Sequence, residues 1–218
     1  MTCRSRGDTI GGAQVTTSRT RRASAPIGAG RIELLGVELS RRVTFPEVGQ
    51  IEPGRTAAEW VRVPTEDAQR LLREVARLVA DLPRESSRDV VWTLGSSELL
   101  LHTDQLTIAI STGLVAIGIP VECDQSDPAT ISVPLAVGTT KQVRGLFAST
   151  LDAPVGPPVI TGIWADALAA FAYECLVTLA QHIAAQAGKD PAGRVLVPAA
   201  VAAERGLLLV KSMARNGV

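Results

Sequence analysis

Few side chains in this sequence could do chemistry. The chain has two histidines, His102 and His182, and three cysteines, Cys3, Cys123 and Cys175. A metal site needs several His, Cys or acidic ligands converging, and no cysteine has a Cys or His neighbour within a few residues. Cys175 and His182 fall seven positions apart on one side of an expected helix. That spacing is about 10 Å of axial rise, beyond hydrogen-bond reach. The pair therefore reads as a buried thiol and a core-edge imidazole. Strand alternation puts Cys123 and His102 on opposite faces, which argues against a Cys/His nucleophile.

The familiar catalytic loops are missing as well. There is no Gly-x-Ser-x-Gly elbow, no Gly-x-x-x-x-Gly-Lys phosphate loop, and no Gly-x-Gly-x-x-Gly after a strand; Gly11-Gly12 lies near the N-terminus. Three Trp, one Tyr and three Phe provide no stacking platform for single-stranded nucleic acid. No catalytic residue, metal ligand or cofactor is expected, and the reading leans away from an enzyme.

Two sets of binding candidates remain. His102, Thr107 and Ser111 are expected together on a sheet face, with Thr107 directly opposite His102 and Thr93 nearby. They are either the polar centre of a pocket or, more commonly, a histidine bonded to a threonine beneath a helix. Arg70, Arg73 and Arg77 line the outer side of a helix. Glu66 and Glu74 are spaced for helical ion pairs with them, so the ordinary reading is a solvated face. The alternative is a docking patch for an acidic partner.

The elements that would hold these residues centre on 89–137. Five apolar segments lie between turn signals there: Val90–Leu94, Glu98–Thr103, Leu106–Ser111, Leu114–Glu122 and Ala129–Val137. Thr112-Gly113 suits a two-residue hairpin. It sets Ile110 against Val115, Ile108 against Ile117 and Leu106 against Ile119, all on one face. A turn at Ser96-Ser97 sets Leu94 against Leu99. A turn at Asp104-Gln105 sets Leu101 against Ile108, and a loop over Asp124–Pro128 sets Val121 against Ile131. All four hairpins sort bulky aliphatics to one side.

The other side carries Thr93, His102, Thr107, Ala109, Ser111, Ala116, Gly118, Pro120, Thr130, Ser132, Pro134 and Ala136. A plainly solvated face would carry charged residues instead. A close neighbour is therefore expected on it, with a helix of the same chain preferred over a subunit or a ligand. Pro120 and Pro134 cannot donate to a ladder and belong at an edge or a bulge.

Around this meander, Thr65 is expected to cap a helix whose stripe is Ala68, Leu71, Leu72, Val75, Leu78, Val79 and Leu82. A second helix, Trp164 to about Ala187, is apolar nearly all round and must be buried or at an interface. It contains Asp166 and Glu174, so no membrane span is expected. Short strands are expected near 32–39, 60–63, 146–150, 159–161, 195–197 and 207–210. The Pro/Gly-rich stretch 46–55 reads as a loop.

The fold class is α+β: an antiparallel meander of about five central strands, with N- and C-terminal additions, packed by two helices. Residues 1–30 form a basic tail with Arg4, Arg6, Arg19, Arg21 and Arg22 against Asp8, and are expected to be disordered in isolation. Residues 31–218 form one domain. The tail is either a solvated end or an arm that orders against a neighbouring subunit or a polyanion.

Acidic and basic residues balance at 22 each, which argues against a dedicated polyanion binder; nucleic acid would be met, if at all, through the tail. Of the basic residues, just Lys141, Lys189 and Lys211 are lysine, as in high-GC bacterial coding or that of a phage of such a host. Scattered, odd-numbered cysteines fit a reducing cytoplasm, and no signal peptide is evident.

Two function classes follow. The first is a non-catalytic interaction or assembly protein: a subunit, adaptor or chaperone-like module, with a protein partner or a homo-oligomer implied. The second is a small-molecule binder or enzyme with a pocket near His102.

Overall fold

The computed structural model describes residues 21–24, 60–80, 82, 89–94, 96–146, 153–187 and 192–214. The strands expected near 32–39, the loop over 46–55, the extended stretch over 147–150 and most of the tail lie outside these residues.

Among the described residues, two helices and eight strands form two antiparallel sheets of five and three strands, an α+β arrangement, and a ninth strand of four residues adds to the larger sheet in parallel. In chain order the elements are β1 (Arg21–Ser24), β2 (Trp60–Pro64), α1 (Thr65–Val79), β3 (Asp89–Leu94), β4 (Ser97–His102), β5 (Thr107–Ser111), β6 (Leu114–Cys123), β7 (Ser126–Ala136), α2 (Pro158–Gln186), β8 (Leu196–Glu204) and β9 (Leu207–Ala214). β3 to β7 make the large sheet, and β1 adds beside β3 in parallel. The small sheet runs β2-β9-β8.

The five central strands form where apolar alternation and turn residues place them. The β5–β6 hairpin has the expected register, with Ile108 opposite Ile117 and Ile110 opposite Val115. Gly113 takes the left-handed conformation (φ +72°) that its turn needs. Two other hairpins keep the expected faces but shift by two residues. Trp92, not Leu94, lies opposite Leu99, because Ser97, expected in the turn, already pairs with Leu94. Ile119, not Val121, lies opposite Ile131, because Asp124-Gln125 alone connects Cys123 to Ser126 and a bulge follows Val121. A two-residue slip leaves every side chain on its original face.

The Asp104-Gln105 hairpin does not form. Thr103–Gln105 make a single 3₁₀ turn instead, and the chain continues in the same direction. β4 and β5 then lie end to end along one edge of β6, with Leu101 opposite Val121 and Thr107 opposite Gly118. A tight hairpin needs positive φ at its centre, which Asp-Gln supplies poorly. The break in this row falls opposite Ile119 and Pro120, between the two paired stretches. Pro120 has no N–H to give, so the interruption sits where β6 has least to offer. Pro134 lies on the outermost strand, β7.

The backbone around the break is satisfied by α1. The Gln69 side-chain amide donates from Nε2 to the Leu106 carbonyl. Its Oε1 accepts the Ile108 N–H at 2.8 Å. One amide thus copies what a neighbouring strand would have provided. Ala68, Leu72, Val75 and Ala76 of α1 are buried, while Leu78 falls off the stripe and is 60% exposed. Thr65 does not cap the helix. Its hydroxyl and its N–H both donate to the Gly206 carbonyl, at 3.0 and 3.1 Å, tying the helix start to the β8–β9 turn.

α2 begins at Pro158, six residues before the expected start, and takes in the stretch expected as a strand over 159–161. Pro157-Pro158 is a helix start: a proline in the first turn loses no hydrogen bond. More than half of its 29 residues are buried, against α1, against β6 and β7, and against β8 and β9. Among the described residues it is the one helix long and apolar enough to cross a membrane by length and composition, and the fold already covers most of it.

The helix expected over the small-residue face lies elsewhere. Both helices cover the aliphatic face. Trp92 meets Phe171 edge to face, with centroids 5.4 Å apart, and lies 6.4 Å from Trp164. Val90, Leu99, Leu101, Val115, Ile117, Ile119, Ile131, Val133 and Leu135 are buried beneath them. Burying such side chains yields about 1.5–3 kcal/mol each, far more than burying Ala, Ser or Thr. An all-apolar helix therefore goes to the bulky face.

Candidate functional site

With both helices on one side, the small-residue face of the large sheet is open. Thr107, Ala109, Ser111 and Thr130 are exposed; Ala116, Pro120, Ser132 and Pro134 are half-buried; and Ala136, at the end of β7, is buried. Gly118 is buried by its own neighbours, since a Cβ there would collide with the Thr107 hydroxyl. No charged residue occurs over 107–111, 114–120 or 130–136.

At one end of this face sits a charge cluster. His102, the last residue of β4, lies directly opposite Asp89 on β3. Its Nδ1 is 2.8 Å from Asp89 Oδ1, and its Nε2 is 3.0 Å from Glu122 Oε1 on β6. The imidazole side chain is 16% exposed, against 25% for Asp89 and 48% for Glu122. Burial by itself lowers the His102 pKa. The hydrogen bonds and charges of Asp89 and Glu122 outweigh it, so the pKa is raised above 6.5. Only the imidazolium donates from both nitrogens, and both acceptors here are carboxylates.

The cluster therefore acts as a tie across three strands. It spans the seam where β4 meets β6 through two residue pairs, Leu100 with Glu122 and Leu101 with Val121. With both ring nitrogens engaged, His102 has no lone pair aimed at a substrate or a metal. Among the described residues no group of three or more His, Cys, Asp or Glu is arranged to hold a metal ion.

The expected companions of His102 are not beside it. Thr107 is paired with Gly118 because β4 and β5 do not fold back on each other. Thr93 is paired with Glu98, at the far end of β4. Ser111 closes β5, opposite Leu114. Asp89 and Glu122 were missed from the sequence because the two-residue register shift and the direct β4–β6 pairing both bring them in. A strand-boundary Asp and Glu flanking apolar runs was the available signal.

The arginines of α1 line an open groove together with Glu66, Gln69, Glu74 and Asp104. Arg70 pairs with Asp67 at 3.1 Å, both well exposed. Arg73 donates from Nε to the Leu106 carbonyl at 3.2 Å, beside Gln69. Arg77 is half-buried at the helix end. Acidic residues thus interleave with all three, and Arg73 supports the broken strand row.

Cys175 is fully buried and its thiol pKa is raised well above the ordinary value, by burial first and by the Glu174 charge second. Gln186 donates to His182 Nε2 at 2.7 Å on the exposed last turn of α2. No protein-family model, no curated protein and no solved structure matches this chain.

Proposed function

We propose that the protein is a non-catalytic interaction or assembly component, and that it binds a protein partner through the small-residue face of its large sheet. A subunit, adaptor or chaperone-like module of a cytoplasmic bacterial or phage complex fits this reading. The observation that carries it is the exposure of Thr107, Ala109, Ser111 and Thr130 on a face without charge over 107–111, 114–120 and 130–136. A sheet face selected for water carries charged side chains, and interface centres are depleted of them. The second reading, a ligand pocket at His102, has less support: Asp89 and Glu122 already occupy both ring nitrogens.

The test is the size of the full-length chain in an extract of the cells that make it, with and without Ala109→Arg. The expected result is a species larger than the 22.9 kDa chain that Ala109→Arg reduces to the monomer while the melting temperature stays the same. A wild-type monomer in the extract overturns the proposal.

A further inference from the structure

We infer that the partner on the small-residue face is a second copy of this chain, packed sheet to sheet about a two-fold axis. The inference rests on the reading above that this face is an interaction surface.

Charge is the first reason. In a two-fold contact each patch meets its own kind, so a face of one strong sign repels itself. The middle of this face is Ala109 opposite Ala116 and Thr107 opposite Gly118, with Ser132 and Pro134 on the next strand. All are uncharged. The charged groups lie on the β3–β4 side: Asp89, His102 and Glu122 gather at one end, where the imidazole lies between the two carboxylates, and the exposed Glu98 stands opposite Thr93. An axis passing near Ala116 sets uncharged surface on uncharged surface and leaves the cluster at the rim. A partner recognised by charge would find nothing to read at the centre.

Size is the second reason. β6 has 10 residues and β7 has 11, which makes them about 33 Å long, and four strand rows span about 19 Å. With the charged β3–β4 end counted as its rim, the projected patch is then on the order of 600 Å², below the roughly 800 Å² per partner of a standard stable interface but of its order. Small side chains also lose little rotamer freedom on burial.

The third reason is that β7's outer edge is already paired at its middle. Ser132 and Val155 exchange two backbone hydrogen bonds of 2.9 and 2.8 Å there, so at that strand the face is what remains open.

The experiment is sedimentation velocity on the purified full-length chain, wild type beside Ala109→Arg and Ala109→Ser, with thermal melts to show that each folds. Wild type and Ala109→Ser are expected to be dimers at about 10 μM. Ala109→Arg is expected to weaken the dimer at least about 100-fold, because it buries a guanidinium against its own copy. A wild-type monomer at about 100 μM, or a dimer that Ala109→Arg leaves intact, overturns the inference. A monomer in which Ala109→Cys resists a thiol reagent also overturns it, since another stretch of the same chain then covers the face. A purified monomer that still forms an Ala109→Arg-sensitive larger species in extract removes the second copy and leaves the interaction reading standing. A monomer in both settings removes both.

Discussion

The Nδ1 atom of His102 lies 2.8 Å from Oδ1 of Asp89, its direct opposite across the β3–β4 ladder. With Glu122 reaching Nε2 from β6, one side chain ties together three strands where the backbone ladder between β4 and β6 is shortest.

This tie predicts a pH dependence. His102 has a folded pKa above 6.5. Its stabilisation is therefore fully present below that unfolded value and is lost as pH rises through the higher folded value. The stability difference between wild type and His102→Gln should be largest near pH 6, on the order of 1 kcal/mol, and should shrink toward pH 8. Urea unfolding at several pH values checks it; a difference that grows with pH is the opposite sign and rules the tie out. Asp89→Asn should cost more than Glu122→Gln, because Glu122 is 48% exposed and its pairing is better screened.

Gln69 should be a costly position despite lying on a surface helix. Gln69→Ala leaves the Ile108 N–H, on a residue just 6% exposed, without its acceptor. The expected loss is about 1–3 kcal/mol. Gln69→Glu restores the acceptor but sets a carboxylate oxygen against the Leu106 carbonyl, so it should recover little of that loss. Chemical denaturation distinguishes these from Arg70→Ala, whose exposed pair with Asp67 should contribute under about 0.5 kcal/mol.

Two glycine substitutions should move stability in opposite directions. A Cβ on Gly138 would meet the Arg144 N–H nitrogen and the Gln142 oxygen at 2.9 Å each, and the Val201 oxygen at 3.2 Å. These are all backbone atoms that cannot turn aside. Gly138→Ala should cost about 1–3 kcal/mol. Gly162, on the exposed side of α2, has nothing within 4 Å. Gly162→Ala should add about 0.5–1 kcal/mol of helix stability. Calorimetry of the two variants reads both signs, and an unchanged melting temperature for Gly138→Ala would show that the 138–145 turn gives way easily.

Thiol labelling should separate the cysteines of the folded domain. Cys175 is buried with a raised pKa and should stay unmodified by a thiol reagent at pH 8 until the protein unfolds. Cys123, half-exposed at the end of β6, should react in the native state. Mass spectrometry of the labelled peptides checks the order; early labelling of Cys175 would mean that α2 opens from the core.

How much could be read beforehand depended on which force set each feature. Alternation of large and small residues placed the five central strands and assigned Ile108, Ile117, Val133 and their neighbours to one face, because side-chain period along a strand is fixed by covalent geometry. The all-round apolarity of 164–187 marked a helix that had to be buried, as α2 is. The Thr112-Gly113 turn fixed its own register, since a local glycine decided it.

What the tertiary structure decided was everything that depended on comparing distant surfaces. The sequence could not choose between register slips of two, because both keep the same faces, and so it overlooked Asp89 opposite His102. It read Asp104-Gln105 as a reversal, whereas an amide from α1 made an interrupted, unidirectional strand row affordable. It sent α2 to the small-residue face, where alanines could approach closely. The helix lies on the aliphatic face instead, because burial energy scales with apolar area removed from water. That choice, made by the whole chain at once, leaves Thr107, Ala109 and Ser111 facing outward.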